Sequence, residues 1–137
     1  MSSLMETLVN DGRFDTFVSA LQASNLSDRL HASGPFTVFA PTDDAFTGLP
    51  EGVVDRMMDD VSSLTRVTSY HLLEGRLNAE AIEAQRQLVT VEGSDLRIQR
   101  LDGRSFVDDA MIVDADLRAD NGIIHAVDAV LLPPDLP

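Results

Sequence analysis

The chain has no cysteine. Disulfides, thiol catalysis and zinc–thiolate sites are therefore excluded. It has no lysine either, and all ten basic residues are arginine. The long apolar stems that lysine lays along a surface are thus missing. No apolar run approaches the ~18 residues of a membrane-spanning helix. The first residues, Met1-Ser2-Ser3-Leu4-Met5-Glu6, lack a basic stretch and an apolar core. They do not read as a signal peptide. The expectation is a cytosolic protein, or one whose secretion signal lies outside this chain. A Gly-x-Ser-x-Gly elbow, a Walker loop, a dinucleotide fingerprint and a His-Glu-x-x-His pair are all absent. No catalytic residue, cofactor or metal is therefore expected. Internal repeats and low-complexity segments are lacking too.

What is present bounds the answer. A length of 137 residues suits one domain over 1–137, and 44% apolar content supports a packed core. Acids outnumber bases 23 to 10, giving a net charge of −13. A partner built on phosphates, such as nucleic acid, would be repelled. Strong negative charge opposes compaction by self-repulsion, and salt screens that repulsion. Most of the acids are aspartate. This composition resembles that of proteins from salt-loving organisms.

Periodicity changes halfway along the chain. Asp11 can cap a helix starting near Gly12, with Phe14, Phe17, Val18 and Leu21 as its apolar stripe. Leu26 and Leu30 suggest a further turn before Ser33-Gly34-Pro35. Phe36 to Phe39 reads as a strand, stopped by Pro41. Thr42 or Asp43 then caps a short helix that turns Phe46 toward the core and ends at Gly48. Val53, Val54, Met57 and Met58 suit a short helix with a core role. A helix from Asp59 or Asp60 carries the stripe Val61, Leu64, Val67, Thr68, His71 and Leu72, with Gly75 past its end. Asn78 caps another helix, stapled by Leu77 and Ile82.

Strand periodicity follows. Val89 and Val91 alternate with Thr90 and Glu92, and Gly93-Ser94 turns the chain. Leu96 and Ile98 alternate with Arg97 and Gln99. Asp102-Gly103 is a hairpin signal before Arg104 to Val107. Ala110 to Val113 is another strand, Asp114 to Gly122 an acidic connection, and Ile123 to Val127 with Ala129 to Leu132 close the pattern. Helices first and strands later argue an α+β fold with a mainly antiparallel sheet system.

Few side chains suggest chemistry. Among His31, His71 and His125, the last two lie on apolar faces and read as buried, hydrogen-bonded histidines. Acidic clusters recur at Asp43-Asp44, Asp59-Asp60, Asp108-Asp109, and at Asp114, Asp116 and Asp120. An EF-hand reading fails, because Gly122 as the sixth residue would place Leu117 first. A solvated acidic surface is the simpler account.

Three blocks stand out: Thr37-Val38-Phe39-Ala40-Pro41-Thr42-Asp43 with Ala45-Phe46, then Tyr70-His71, then Asn121-Gly122 with Ile124-His125, Val127-Asp128 and Val130-Leu131-Leu132-Pro133-Pro134. In order and spacing they closely resemble the fasciclin domain, from about Leu4 to Pro134. One departure is Val107-Asp108-Asp109-Ala110, where the family often has Val-Asn-Gly-Ala. The resemblance implies helices packed on one side of a wedge-like pair of sheets. It implies cell adhesion or matrix interaction without catalysis, at the cell surface or outside the cell. Thr42, Asp43, Phe46, His71, Asn121, Gly122 and His125 would be the structural motif. In some animal members an Asp-Ile pair before the last block binds integrins, and Asp116-Leu117 holds the matching place. The Tyr-His block is regarded as structural and adhesive, so Tyr70, free to sit near the surface if His71 faces in, joins them as a candidate binding residue. The implied partner is a protein or cell surface, held weakly and in many copies. In a salt-loving microbe that partner would not be an integrin. Two rival readings remain: a carrier or sensor with an apolar cleft, and a hydrolase with an unrecognised site.

The charge balance yields a first prediction. The melting temperature should rise markedly from dilute buffer to molar potassium chloride. Sulfate run in parallel separates screening from general salting-out. A flat response across that range contradicts a salt-adapted surface.

Overall fold

The computed structural model describes residues 4–24, 26, 35–49, 52, 55–56, 59–108 and 110–131. The expected Val53–Met58 stripe, Leu30, His31, Asp109 and the residues from Leu132 onward lie outside these. Five helices and seven strands are defined: α1 (Leu4–Asp11), α2 (Asp15–Ala23), β1 (Phe36–Pro41), α3 (Asp43–Thr47), α4 (Val61–Ser69), β2 (Leu72–Glu74), α5 (Ala79–Glu83), β3 (Gln87–Val89), β4 (Asp95–Leu101), β5 (Arg104–Val107), β6 (Ala110–Ala119) and β7 (Gly122–Val127). The strands form one sheet in the order β2-β1-β7-β6-β5-β4-β3. Only β1 and β7 pair in parallel; the other neighbours run antiparallel. The Val91 N–H donates to the Leu72 carbonyl at 2.8 Å, so the chain after β3 returns to β2 at the opposite edge. The sheet curls accordingly into a wedge-like barrel with helices against it.

The β1–β7 pair is buried along its whole length. Side chains alternate across it. Phe36, Val38, Ala40, Ile124 and Ala126 face the first core, filled by Leu4, Leu8, Phe14, Phe17 and Leu21 from the N-terminal helices. Phe39 and Val127 face a second core with Tyr70, Ile82, Leu96, Ile98 and Val107. The Phe14–Leu21 stripe is thus buried as its spacing predicts.

Several boundaries differ from the sequence reading, each for a definable reason. Asp11 ends α1 instead of capping α2; Gly12, at φ +85°, makes the turn between them. Pro41 belongs to β1 and does not lie beyond it. Phe36 and Thr42 donate toward the β7 side and Phe39 toward His71 on the β2 side. Position 41 therefore aims its missing N–H past the end of β2, where no ladder bond is lost. Helix α4 stops at Ser69, so Leu72–Glu74 is a strand and Gly75 follows that strand. Val61 is exposed at the helix start and does not join the stripe. In the next run Leu88 and Thr90 are buried while Val89 is 65% exposed. Leu88 pairs with Leu96 over the second core, and the Thr90 hydroxyl donates to the Ser94 carbonyl at 2.9 Å, closing the turn.

The expected acidic connection from Asp114 is largely strand. Leu117, Arg118 and Ala119 of β6 pair with Ile124, Ile123 and Gly122, leaving Asp120-Asn121 as the turn. Register shifts on either side of Asp114 break the ladder, and Asp116 adopts φ +60°. Aspartate tolerates that left-handed conformation better than most residues. No strand forms at Ala129–Leu131. Asp102-Gly103 does make the hairpin turn, both residues having positive φ.

Gly122 has a steric reason. A Cβ there would overlap the Phe36 carbonyl oxygen and come within 2.8 Å of Leu4 Cδ1. Backbone cannot yield as a flexible side chain would. Gly122→Ala should lower the stability by ~3 kcal/mol or more, read as a fall in denaturant midpoint. A parent-like midpoint would show that β1 can move away from β7.

Candidate functional site

The motif residues converge on helix starts and on the central strand pair. The first four N–H groups of a helix lack partners within it. Thr42 caps α3, its hydroxyl accepting from the Ala45 N–H at 3.3 Å. Asp43 does something the sequence did not reveal. Its carboxylate accepts the Thr16 N–H at 2.9 Å, and its own N–H donates to the Arg13 carbonyl. It thereby serves α2, whose N-cap residue Phe14 offers no side-chain bond. Asn121 Oδ1 accepts the Leu4 N–H at the start of α1. Phe46 is half-buried against the first core.

His71 is fully buried just past α4. Its Nδ1 lies 2.7 Å from the Val67 carbonyl, and its Nε2 accepts the Leu131 N–H at 2.9 Å. The first contact requires a proton on Nδ1 and the second forbids one on Nε2, so the ring is neutral. Phe17 packs against it, with centroids 5.4 Å apart. His125 follows the same logic on β7. Nδ1 accepts the Asp116 N–H at 3.2 Å, and Nε2–H donates to the Leu77 carbonyl at 2.7 Å. Beside it, the Thr37 hydroxyl accepts the Leu77 N–H and donates to the Gly75 carbonyl. Together they fasten the β2–α5 connection to β1 and β7. Thr37 was legible only as a polar interruption between Phe36 and Val38.

Burial drives both histidines below their ordinary range, His71 to about 4; bonds to the Val67 and Leu77 carbonyls oppose this only in part. Both ring nitrogens of each histidine are held by backbone groups, leaving no lone pair for a general base.

Of the candidate binding residues, Tyr70 is corrected most. It is 1% exposed, not at the surface. The helix ends before it, so the 100° separation from His71 no longer applies and both side chains turn inward. Its hydroxyl meets the Asp95 carbonyl and Asp108 Oδ2, each at 3.0 Å. Burial, reinforced by Asp108, raises its pKa. Asp116 is exposed, but Oδ1 accepts the Ala79 N–H at 2.8 Å, supplementing the Asn78 cap of α5. Leu117 is half-buried and packs on the first core. Asp116 and Leu117 thus occupy one bulge, and Tyr70 is not part of it.

An open cleft of about 420 Å³ is lined by Arg13, Thr42, Asp43, Asp44, Val113 and Asp128. Its carboxylates do not suit the apolar ligand of a carrier. Among the described residues no group of three or more acids or histidines could hold a metal ion, and no helix is long and apolar enough to cross a membrane.

His71→Ala should cost roughly 1–3 kcal/mol at pH 7, because the Leu131 N–H and Val67 carbonyl lose their ring partner. Between pH 6.5 and about 4 the unfolded chain binds a proton that folded His71 refuses. Parent stability contributed by this ring is therefore present above 6.5 and lost as pH falls toward 4, by about 3 kcal/mol. Denaturant midpoints of parent and variant should converge over that window. The comparison cancels the carboxylate titration common to both; a constant gap would contradict a neutral, locked ring.

Comparison with known proteins now bears on this geometry. The fasciclin domain profile matches residues 12–133. An uncharacterized Synechocystis protein, sll1735, is 40% identical over 96% of this chain and 98% of its own length. Cell surface glycolipoprotein MPB83 of Mycobacterium bovis is 32% identical over 91% of this chain, which spans 58% of that protein. Among solved structures, the FAS1 domain pair of the insect cell adhesion molecule fasciclin I superposes with a TM-score of 0.69 at 18% identity. The match covers 89% of this chain and 46% of the pair, and shows the shared fold. By their names, the solved neighbour is a cell adhesion molecule and the mycobacterial relative a cell surface protein. A fasciclin profile over most of the chain, on a fasciclin fold with the motif residues in structural positions, places this protein in the fasciclin family.

Proposed function

We propose that the chain is a non-catalytic adhesion or matrix-interaction module, working at the cell surface or outside the cell. Membership of the fasciclin family carries this reading. The commitment of His71 and His125 to backbone partners agrees with it, since neither is left for chemistry. The name of the mycobacterial relative supports the location. The lysine-free acidic surface fits a salt-loving source, so the partner is a protein or cell-surface component met in high salt.

The β6 bulge is the binding face this reading favours. Asp116 supplies an exposed charge held by a left-handed backbone and by the Ala79 N–H. Leu117 supplies the flank of a half-buried apolar side chain. One such contact is weak, and many copies on a surface multiply it.

Asp116→Asn is the informative variant. It removes the charge, keeps an oxygen for the Ala79 N–H and tolerates positive φ. The variant should melt like the parent, and cell–cell or cell–matrix adhesion in high salt should fall severalfold. Undiminished adhesion by a normally folded variant removes this bulge from the binding face.

A further inference from the structure

Directly opposed residues of antiparallel strands share a face. On β3 to β6 the register sets Gln87 against Arg97, Leu101 against Arg104, and Phe106 against both Gln99 and Met111. These positions alternate with Leu88, Leu96, Ile98, Val107 and Ala110, which fill the second core. The first set therefore looks outward. Leu101 is 56% exposed and Val89, opposite Asp95 on the same face, is 65% exposed. Phe106 and Met111 between them are half-buried. Helix α5 covers the inner side of this meander, where Glu83 meets Arg100 and Ser105, and does not reach the outer one. Among the described residues nothing covers this outward face, which carries a short apolar row of Leu101, Phe106 and Met111, with Val89 apart beside Asp95.

Charge separates this region from the remainder of the molecule. Residues 86–119, which span β3 to β6, hold five arginines and seven acids, so most of the −13 lies elsewhere in the chain. The outward face itself carries Asp95, Arg97 and Arg104. Among the described residues the Arg97 guanidinium has no partner, and Arg104 Nη1 approaches Met111 Sδ at 3.7 Å. Two cations are therefore left unneutralised on a strongly acidic protein.

We propose that two copies of this chain associate through the outer face of β3–β6 about a two-fold axis. A two-fold interface must be complementary to itself. This face meets that condition, having an apolar row to set against its copy and charges of both signs to set against each other. Asp95 of one copy can meet Arg97 or Arg104 of the other. Approach by other faces brings acid against acid, and here the two acidic remainders point apart. An unrelated anionic partner would be repelled at range by the net charge, and a cationic one would be drawn to the acidic remainder instead. The charge pattern therefore selects a second copy. Its salt response is distinctive: molar salt screens the repulsion between two chains of −13, so association strengthens with salt, whereas ion pairing alone would weaken. The inference stands apart from the adhesive reading, because it concerns the isolated chain and a different face.

Sedimentation equilibrium from micromolar to millimolar protein, in dilute buffer and in molar potassium chloride, provides the test. The parent should show a monomer–dimer equilibrium that is at least about tenfold tighter in molar salt. Leu101→Asp should raise the dimer Kd by about tenfold or more. Val61→Asp is the control, adding the same charge at a valine of matching exposure, 57%, on α4. It should leave the Kd unchanged. Circular dichroism melts establish that both variants fold. A parent that stays monomeric at millimolar concentration, an assembly larger than two, or equal weakening by both variants would overturn the proposal.

Discussion

Everything in this fold depends on a strand pair that has no access to water on either face. β1 and β7 run parallel between two apolar cores, and each of their residues is buried. A polar group in such a place must find its partner inside the protein or destabilise it by a few kcal/mol. The two polar side chains on the pair, Thr37 and His125, meet that demand with the same short segment, Gly75 to Leu77. Space is as scarce as polarity. Gly122 allows the Phe36 carbonyl and Leu4 to approach, and the neighbouring small residues Ala40, Ala119 and Ala126 are buried in the first core.

The second constraint is the unpaired N–H groups at helix starts. Each of the five described helices has a side-chain oxygen at or near its N-terminus. Asn121 serves α1, Asp43 α2, Thr42 α3, Asp60 α4, and Asn78 with Asp116 α5. Bonds of this kind contribute about 1 kcal/mol each. Three of them, from Asn121, Asp43 and Asp116, reach across the chain from outside the helix they serve. They do more than end helices: they fix where the helices sit on the sheet. The motif blocks that resemble the fasciclin family are thus mostly joints. The sequence scatters these joints because the elements they join lie far apart in it.

Legibility followed the range of the interaction. The Phe14 to Leu21 stripe, the Asn78 cap, the α4 cap narrowed to Asp59 or Asp60, and the Asp102-Gly103 turn depend on neighbours within a few residues, and the sequence revealed them. Tyr70 did not yield to local reasoning, because its hydroxyl is satisfied by Asp95 and Asp108 far along the chain. Nor did Asp116. Read locally, a run of acids after Asp114 looks like a loop; pairing with β7 makes it strand, and the positive φ at Asp116 absorbs the misfit in register. Val89 misled for a related reason. Two valines alternating with polar residues suggest an apolar face, but Leu88 already faces the second core and fixes the opposite phase.

The acidity of the chain has two layers, and the structure separates them. Among the described residues the three non-glycine positions with positive φ are all aspartates, Asp102, Asp108 and Asp116. Asp43, Asp60, Asp108, Asp116 and Asp128 each accept at least one backbone N–H. These acids are components of turns, caps and joints, and their short side chains suit that work. Of the remaining acids, Asp11, Glu83, Glu92 and Asp114 meet arginines, and the others repel one another across the surface. Salt acts on the second layer by screening charge at a distance, while the short hydrogen bonds of the first persist. A chain built in this way can carry a large net charge without giving up its joints, provided the repulsion is screened. It also leaves the β3–β6 face, where acids are few and arginines unpaired, as the surface with least opposition to close approach.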